Sequence, residues 1–245
     1  MSGGELTGGV DTPKGKDKPD RHPWDWYVEQ AWVTEQLIET LGHLAFKGHV
    51  VWDPACGAAN ICDVFWRNPL EDISITVLGS DIRVGNSQYH WTLDEKVESV
   101  DFLSGEADFV ALEIAIEIGS DVKLSIVTNP PYSQQDGKLV RGLAEKFCEK
   151  ALRLATHKVC ALLPIKWLAG EARHAFLTKY PPRFYLILNE RPSMPPGNLI
   201  EKLGDQAFKR GKVDYMWVVW DKQVVTLPGE TRTIHIAPRP KEERS

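Results

Sequence analysis

From His49 onward the chain alternates short β-rich runs with helical ones, and this alternation restricts the possible folds more than any other feature. Strand-like runs at His49–Asp53, Ile75–Asp81, Lys123–Thr128 and Lys158–Leu163 are separated by helical patterns at Ala58–Trp66, Asp108–Ile118 and Leu139–Ala155, and a further helix lies around Gly170–Lys179. Parallel strands joined through a helix require right-handed crossovers, so the pattern predicts an α/β fold: a mainly parallel sheet with helices on both faces. Ligands of such sheets sit at the carboxyl ends of the strands. Upstream, Trp32, Val33, Leu37, Ile38, Leu41, Leu44 and Ala45 follow a helical period over Ala31–Phe46, and Gly48 breaks it. The chain finishes differently. Arg183–Asn189 and Tyr215–Trp220 read as strands with no helical pattern between them, which predicts a closing antiparallel hairpin with a long loop.

At 245 residues, 42% of them hydrophobic, the chain can bury one sizeable core. The predicted organisation is one domain over 22–222, preceded by a disordered arm over 1–21 and followed by a flexible tail over 223–245. The arm combines Gly, Lys, Asp and Pro with almost no large apolar residues, too little to repay the entropy of ordering. No stretch reaches the roughly 20 apolar residues of a membrane span, and the N-terminus is not signal-like, which predicts a cytoplasmic protein. Cys56, Cys62, Cys148 and Cys160 show no C-x-x-C pair and no histidine at zinc-finger spacing. They read as reduced, mostly buried thiols rather than metal ligands.

The formal net charge of −5 argues against a protein that coats nucleic acid. A local surplus is nevertheless present. Arg191, Lys202, Lys209, Arg210 and Lys212 face Glu190, Glu201 and Asp205, and the tail adds Arg232, Arg239, Lys241 and Arg244. Such a run is either a polyanion contact or a solvated face.

Three strand ends carry candidate chemistry. In Val50–Asn60 a hydrophobic strand ends in Asp53, followed by a turn of small residues, Pro54-Ala55-Cys56-Gly57-Ala58-Ala59. Small side chains at Ala55 and Gly57 let a ligand approach the backbone closely, and the next helix, with Asn60 near its start, points its N–H groups at that ligand. The second strand ends at Gly79-Ser80-Asp81. Asp81, with Ile82 beside it, either accepts hydrogen bonds from ribose hydroxyls or caps the turn that follows. Asp101-Phe102 either sets a carboxylate and a ring beside a purine or is a capping Asp next to a core Phe.

The most informative segment is Asn129-Pro130-Pro131-Tyr132, at the end of what counts as the fourth parallel strand. Two prolines fix φ and remove two backbone donors, so the loop is stiff and its carbonyls face outward. The Asn129 side-chain oxygen and the Pro130 carbonyl can each accept one N–H of a planar amine. That moves the nitrogen lone pair out of conjugation and toward an electrophilic methyl. Tyr132 can stack on the ring that bears the amine.

On these residues the chain resembles the S-adenosylmethionine-dependent amino-methyltransferases that modify adenine N6 or cytosine N4 in DNA, over roughly Asp25 to Asp221. Asp53–Asn60 is similar to their cofactor motif, Asp81 to their ribose-binding acid, Asp101-Phe102 to their adenine-side pair and Asn129–Tyr132 to their catalytic tetrapeptide. The resemblance implies a Rossmann-like class I methyltransferase fold with a mostly parallel seven-stranded sheet. It also implies S-adenosyl-L-methionine as cofactor and, because Asn rather than Ser stands first in the tetrapeptide, adenine in DNA as the favoured target. Asp25–Trp32 is similar to a segment of small phage and prophage enzymes that lines the methionine end of the pocket, which implicates Trp26 and Tyr27. Here Glu29-Gln30 replaces the usual Thr-Pro, and Ala59 stands where a further glycine is common.

Later segments of those enzymes are matched by Ala161–Leu168, Asn189–Met194 and Tyr215–Asp221. There the loop around Arg191 to Met194 borders the target-base pocket, so Arg191 is expected to hold a phosphate and Trp167 to flank the base. A surface Arg and a core Trp explain either residue alone. The longest candidate for target recognition, about 190–212, is short for reading many base pairs, which predicts a short site, low specificity or a recognition partner. An amino group in RNA, a protein glutamine side chain and a non-catalytic cofactor-binding role remain alternatives.

Overall fold

A computed structural model of the chain describes residues 22–67, 75–83, 99–209 and 211–244. The arm expected over 1–21 and the cation Arg210 lie outside the described residues. The strands are β1 (His49–Asp53), β2 (Thr76–Gly79), β3 (Lys123–Thr128), β4 (Lys158–Pro164), β5 (Phe184–Leu188), β6 (Tyr215–Asp221) and β7 (Arg232–Ile236). They form a seven-stranded sheet in the order β2-β1-β3-β4-β6-β5-β7. Neighbours run parallel except that β6 is antiparallel to both β4 and β5. The helices are α1 (Ala31–Leu41), α2 (Asn60–Trp66), α3 (Glu106–Ile118), α4 (Leu143–Leu154), α5 (Glu171–Lys179) and α6 (Gly197–Leu203). This is the Rossmann-like class I methyltransferase arrangement implied by the resemblance.

The two-residue period of the strands divides the core. Val50 and Trp52 of β1, Leu124 and Ile126 of β3, and Met216, Val218 and Trp220 of β6 join one cluster with Phe102, Phe147 and Ala151. Val51, Val127, Trp217 and Val219 point the other way, into a cluster with Trp32, Val33, Leu37 and Phe65. Strands buried on both faces read as near-continuous apolar runs, which is why β1, β3, β4 and β6 are legible in sequence. Buried indoles tie the layers together: Trp217 Nε1 donates to the Val33 carbonyl at 2.9 Å and Trp52 Nε1 to Ser80 Oγ at 3.0 Å.

Several boundaries differ from the sequence reading. The first helix stops at Leu41, because Gly42 takes φ 91, and a short 3₁₀ turn over His43–Phe46 follows. The helix expected from Leu139 starts at Leu143. Its first turn is replaced by a hairpin pairing Gln134–Gln135 with Lys138–Leu139 around Asp136 and Gly137, both at positive φ, the Asp-Gly chemistry of a tight hairpin turn. The long loop before β6 contains α6, too short to show a helical period. The tail expected from 223 is not all flexible: Arg232–Ile236 forms β7, parallel to β5, and its largely exposed edge position hid it from a hydrophobicity reading. On the opposite edge Asp81 and Ser99 make one isolated bridge, so the Asn129 segment ends the third described strand rather than the fourth.

His49 opens β1 almost fully buried, its Nδ1 2.8 Å from Ser125 Oγ. Burial, reinforced by His157, Lys158 and Lys123, pushes its imidazole from 6.5 down to about 4. The unfolded chain therefore takes up this proton first. The stability His49 contributes is complete above pH 6.5 and is lost as pH falls toward 4. His49→Gln should flatten the acid-side decline in unfolding free energy by up to roughly 3 kcal/mol. Parallel pH profiles of the two proteins in urea titrations would contradict this.

Candidate active site

The segment before α1 crosses the carboxyl ends of the strands and holds the loop after β3 from above. Asp25 sits in the left-handed region at φ 53, a conformation a short polar side chain tolerates. Its Oδ2 accepts the backbone N–H groups of Tyr132, Ser133 and Gln134 at 3.1, 2.7 and 2.8 Å. The prolines at 130 and 131 have no N–H to offer, so these are the first three donors after the turn. Two residues on, the Tyr27 carbonyl accepts Asn129 Nδ2 at 2.9 Å, and Glu29 Oε2 accepts the same amide nitrogen at 2.9 Å. The segment is anchored on its other side by Val28 N–H to the Pro195 carbonyl and Gly197 N–H to the Trp26 carbonyl.

Below this strap lies a cavity of about 740 Å³ including its open mouth. Its lining brings together Trp26, Tyr27, Asp53, Ala55, Gly57, Asp81, Ile82, Asp101, Phe102, Asn129 and Pro131, all singled out in the sequence. The close approach that Gly57 permits is made by Trp26: a Cβ on Gly57 would meet its Nε1 at 2.7 Å. The indole is also backed by Gly197, and the Arg83 guanidinium lies 4.3 Å over its ring. Trp26 Nε1 is buried with no hydrogen-bond partner among the described residues. Ala59 adopts φ 66, which explains why a glycine suits that position.

The cavity is rich in carboxyl groups. Asp53 accepts the Ala55 N–H at 3.1 Å, and burial together with the nearby Glu29 charge holds its carboxyl well above the usual range. Burial likewise pushes the Glu29 carboxyl up. Asp81 accepts the Gly57 N–H on Oδ2 at 3.0 Å, and both the N–H and Nε of Arg83 on Oδ1. It thus both closes a turn and lines the cavity, with lone pairs left over. Asp101 accepts the Leu103 N–H at 3.0 Å, while the Phe102 ring packs edge-on against Trp52, 5.4 Å between centroids, largely in the core. Asn60 does not line the cavity: its side-chain amide holds the Glu29 carbonyl instead.

The Asn129 carboxamide oxygen accepts the Tyr132 hydroxyl at 2.7 Å. No donor among the described residues reaches the Pro130 carbonyl. Tyr132 packs against both core clusters and lies 6.3 Å from Tyr215; burial raises its phenol well above the ordinary value. Tyr132 faces a second cavity, shared with Tyr27, Lys166, Trp167, Arg173, Pro192–Pro196, Lys212 and Tyr215. Trp167 forms part of its wall, its ring under the Arg173 guanidinium at 4.9 Å and its Nε1 buried without a partner among the described residues.

Arg191 is absent from this wall. Its guanidinium is exposed and paired with Asp214 at 2.6 Å. The cationic run is further neutralised where Arg239 and Arg244 pair with Glu190. Sequence reasoning missed Asp25, Glu29, Lys166 and Arg173. The replacement of Thr-Pro by Glu29-Gln30 was the one visible signal.

No protein-family model matches the chain, and no curated protein matches it. Among solved structures it is similar to the type I restriction-modification methyltransferase subunit of Streptococcus thermophilus, at 13% identity and a TM-score of 0.47 over 82% of this chain and 45% of that one. It is similar to the DrdV–DNA complex at 13% identity and a TM-score of 0.49, over 89% and 28%. It is also similar to the type IIG restriction endonuclease BpuSI at 15% identity and a TM-score of 0.45, over 80% and 24%. The chain spans less than half the length of each of these three proteins.

Asp25→Ala leaves three amides without their acceptor and should cost about 2–4 kcal/mol in urea titrations, since each buried orphan costs roughly 1–3 and water relieves part of it. Asp25→Asn keeps an acceptor and should lose much less; equal losses would contradict the clamp. Gly57→Ala, which drives a Cβ to 2.7 Å from Trp26, should cost about 1–3 kcal/mol, and Gly105→Ala, with open space around it, should be neutral in the same assay.

Proposed function

We propose that the chain transfers a methyl group from S-adenosyl-L-methionine to the N6 amino group of adenine in DNA. One observation carries this reading: Asn129 lines the acid-rich cavity, and its hydrogen-bond partner Tyr132 lines the second, aromatic cavity. A group-transfer site needs such a polar acceptor on the wall between a donor pocket and an acceptor pocket.

The residues of the first cavity fit the cofactor. Asp81 and Asp101 suit hydroxyl and amine donors, and Glu29 and Asp53 suit a cation. The orphaned Trp26 Nε1 offers a donor. When bound, the cofactor supplies an electrophilic methyl on a sulfonium. The chain's own work is positioning and dipole orientation, which can supply several kcal/mol without a covalent intermediate. Asn129 Oδ1 and the Pro130 carbonyl accept the two N–H groups of the target amine and turn its lone pair toward the first cavity. Tyr132, whose hydroxyl already occupies one side of Oδ1, shares that oxygen or yields it as the amine arrives.

The second cavity supports a flipped base as occupant. Tyr132, Trp167 and Tyr215 offer rings, and Lys166, Lys212 and Arg173, the last paired with Glu145, offer positive charge, with no acidic residue among the described residues of its lining. An adenine inside a duplex cannot reach a buried site, so it must leave the stack unless the strand is already single. The modest span between β5 and β6 favours a short or loosely defined recognition site, or a partner that supplies recognition. This substrate-side reading replaces Arg191 with Lys166, Arg173 and Lys212.

The test incubates the protein with labelled cofactor and DNA, RNA or lysate protein, then digests and identifies the methylated unit by mass spectrometry. N6-methyladenine from DNA is expected; label on RNA or on glutamine would correct the substrate. Asn129→Ala should retain cofactor binding by calorimetry and lose about 10²–10³-fold in kcat. Undiminished turnover would refute its role.

A further inference from the structure

Glu29 is 5% exposed, and its only side-chain partner among the described residues is the Asn129 amide at 2.9 Å. A buried carboxyl held only by one neutral side chain and its own backbone N–H weakens a fold that an apolar residue of similar size would support at least as well. Its setting is nevertheless rigid: the Asn60 amide holds its carbonyl, and Val28 beside it is bonded to Pro195. The neighbouring Asp53 adds a second acid to the same cavity, and burial raises both carboxyls.

We propose that Glu29 is a positioning residue that fixes which end of the Asn129 carboxamide meets the reacting amine. An asparagine amide is nearly symmetric in shape, and its oxygen and nitrogen exchange places by a simple flip. Here Nδ2 donates to the Tyr27 carbonyl, which can only accept, and to Oε2 of the Glu29 carboxyl. A flipped carboxamide would turn its oxygen toward the Tyr27 carbonyl oxygen, lose the donation to Glu29, and present N–H groups to an amine that has only N–H groups to give. The Tyr132 hydroxyl on Oδ1 agrees with the same orientation. Donation to a carboxyl group also polarises the amide and makes Oδ1 a stronger acceptor. The inference rests on the proposed amino-methylation for its kinetic consequence but not for its geometry.

Two readouts separate the inference from that reading. In ¹⁵N–¹H spectra of the protein alone, the Asn129 side-chain NH₂ pair is identified by its loss in Asn129→Ala. It should shift more than the other Asn and Gln side-chain pairs in Glu29→Met and in Glu29→Gln. In turnover, Glu29→Met should lower kcat on the order of a hundredfold, the effect of one misaligned polar contact at a reacting group, with a far smaller change in cofactor KM. Glu29→Gln should recover most of that loss, because its carbonyl accepts the same N–H; it also serves in the spectrum if the methionine variant does not fold.

In the Asn129→Ala background Glu29→Met should cost nothing further, the signature of residues acting as one unit. Unmoved Asn129 resonances, or equal losses in both backgrounds, would overturn the positioning role. Absence of methyl transfer by the wild-type protein would instead overturn the functional reading, and the spectrum alone would then decide the role of Glu29.

Discussion

The three backbone N–H groups that converge on one oxygen of Asp25 are the contact on which the site depends. Beyond Thr128 the chain leaves the sheet through two prolines, which stiffen the turn and withdraw the donors that would tie it to its neighbours. The next three amides would have to point into solvent or into protein without partners. A single carboxylate from a remote segment gathers them, and the same segment then delivers Tyr27 and Glu29 to Asn129. Holding the strap and orienting the amide are one structural event.

This arrangement concentrates carboxyl groups where the dielectric is low. Glu29 and Asp53 are buried in one cavity, with Asp81 close by, and burial together with the Glu29 and Asp81 charges makes Asp53 harder to ionise. An isolated hydrophobic cavity would be more favourable for the fold. These acids fit the proposed ligand, which brings positive charge and hydrogen-bond donors, and backbone amides such as those of Ala55 and Gly57 offset part of the cost.

Much of the framework was legible beforehand. The strands β1, β3, β4 and β6 carry apolar residues on both faces because both faces are covered, and α4 declares its buried stripe through Leu143, Ala144, Phe147 and Ala151. The acids at the ends of β1 and β2 and the Asn129 loop stood out because their residue types are unusual at strand ends. Elements whose formation depends on neighbours were missed. β7 is an exposed edge strand that borrows its register from β5, and α6 is too short for a period to emerge. The Asp-Gly hairpin at 136–137 went unread, and the helix expected from Leu139 overlapped the end of its second strand.

The sequence alone determined the layered α/β architecture, the acids and small residues of the first cavity and the identity of the loop after β3, since each is set by local periodicity or by the conformational limits of Gly and Pro. Only the tertiary structure decided what completes the site. Asp25 lies 107 residues from Tyr132, and Glu29 lies 100 residues from Asn129. It also decided where the side chains of Asn60 and Arg191 are engaged, the one on the Glu29 carbonyl and the other on Asp214. A hydrogen bond is specific to distance and angle in space, and no spacing along the chain encodes which two distant polar groups the folded sheet brings within three ångströms.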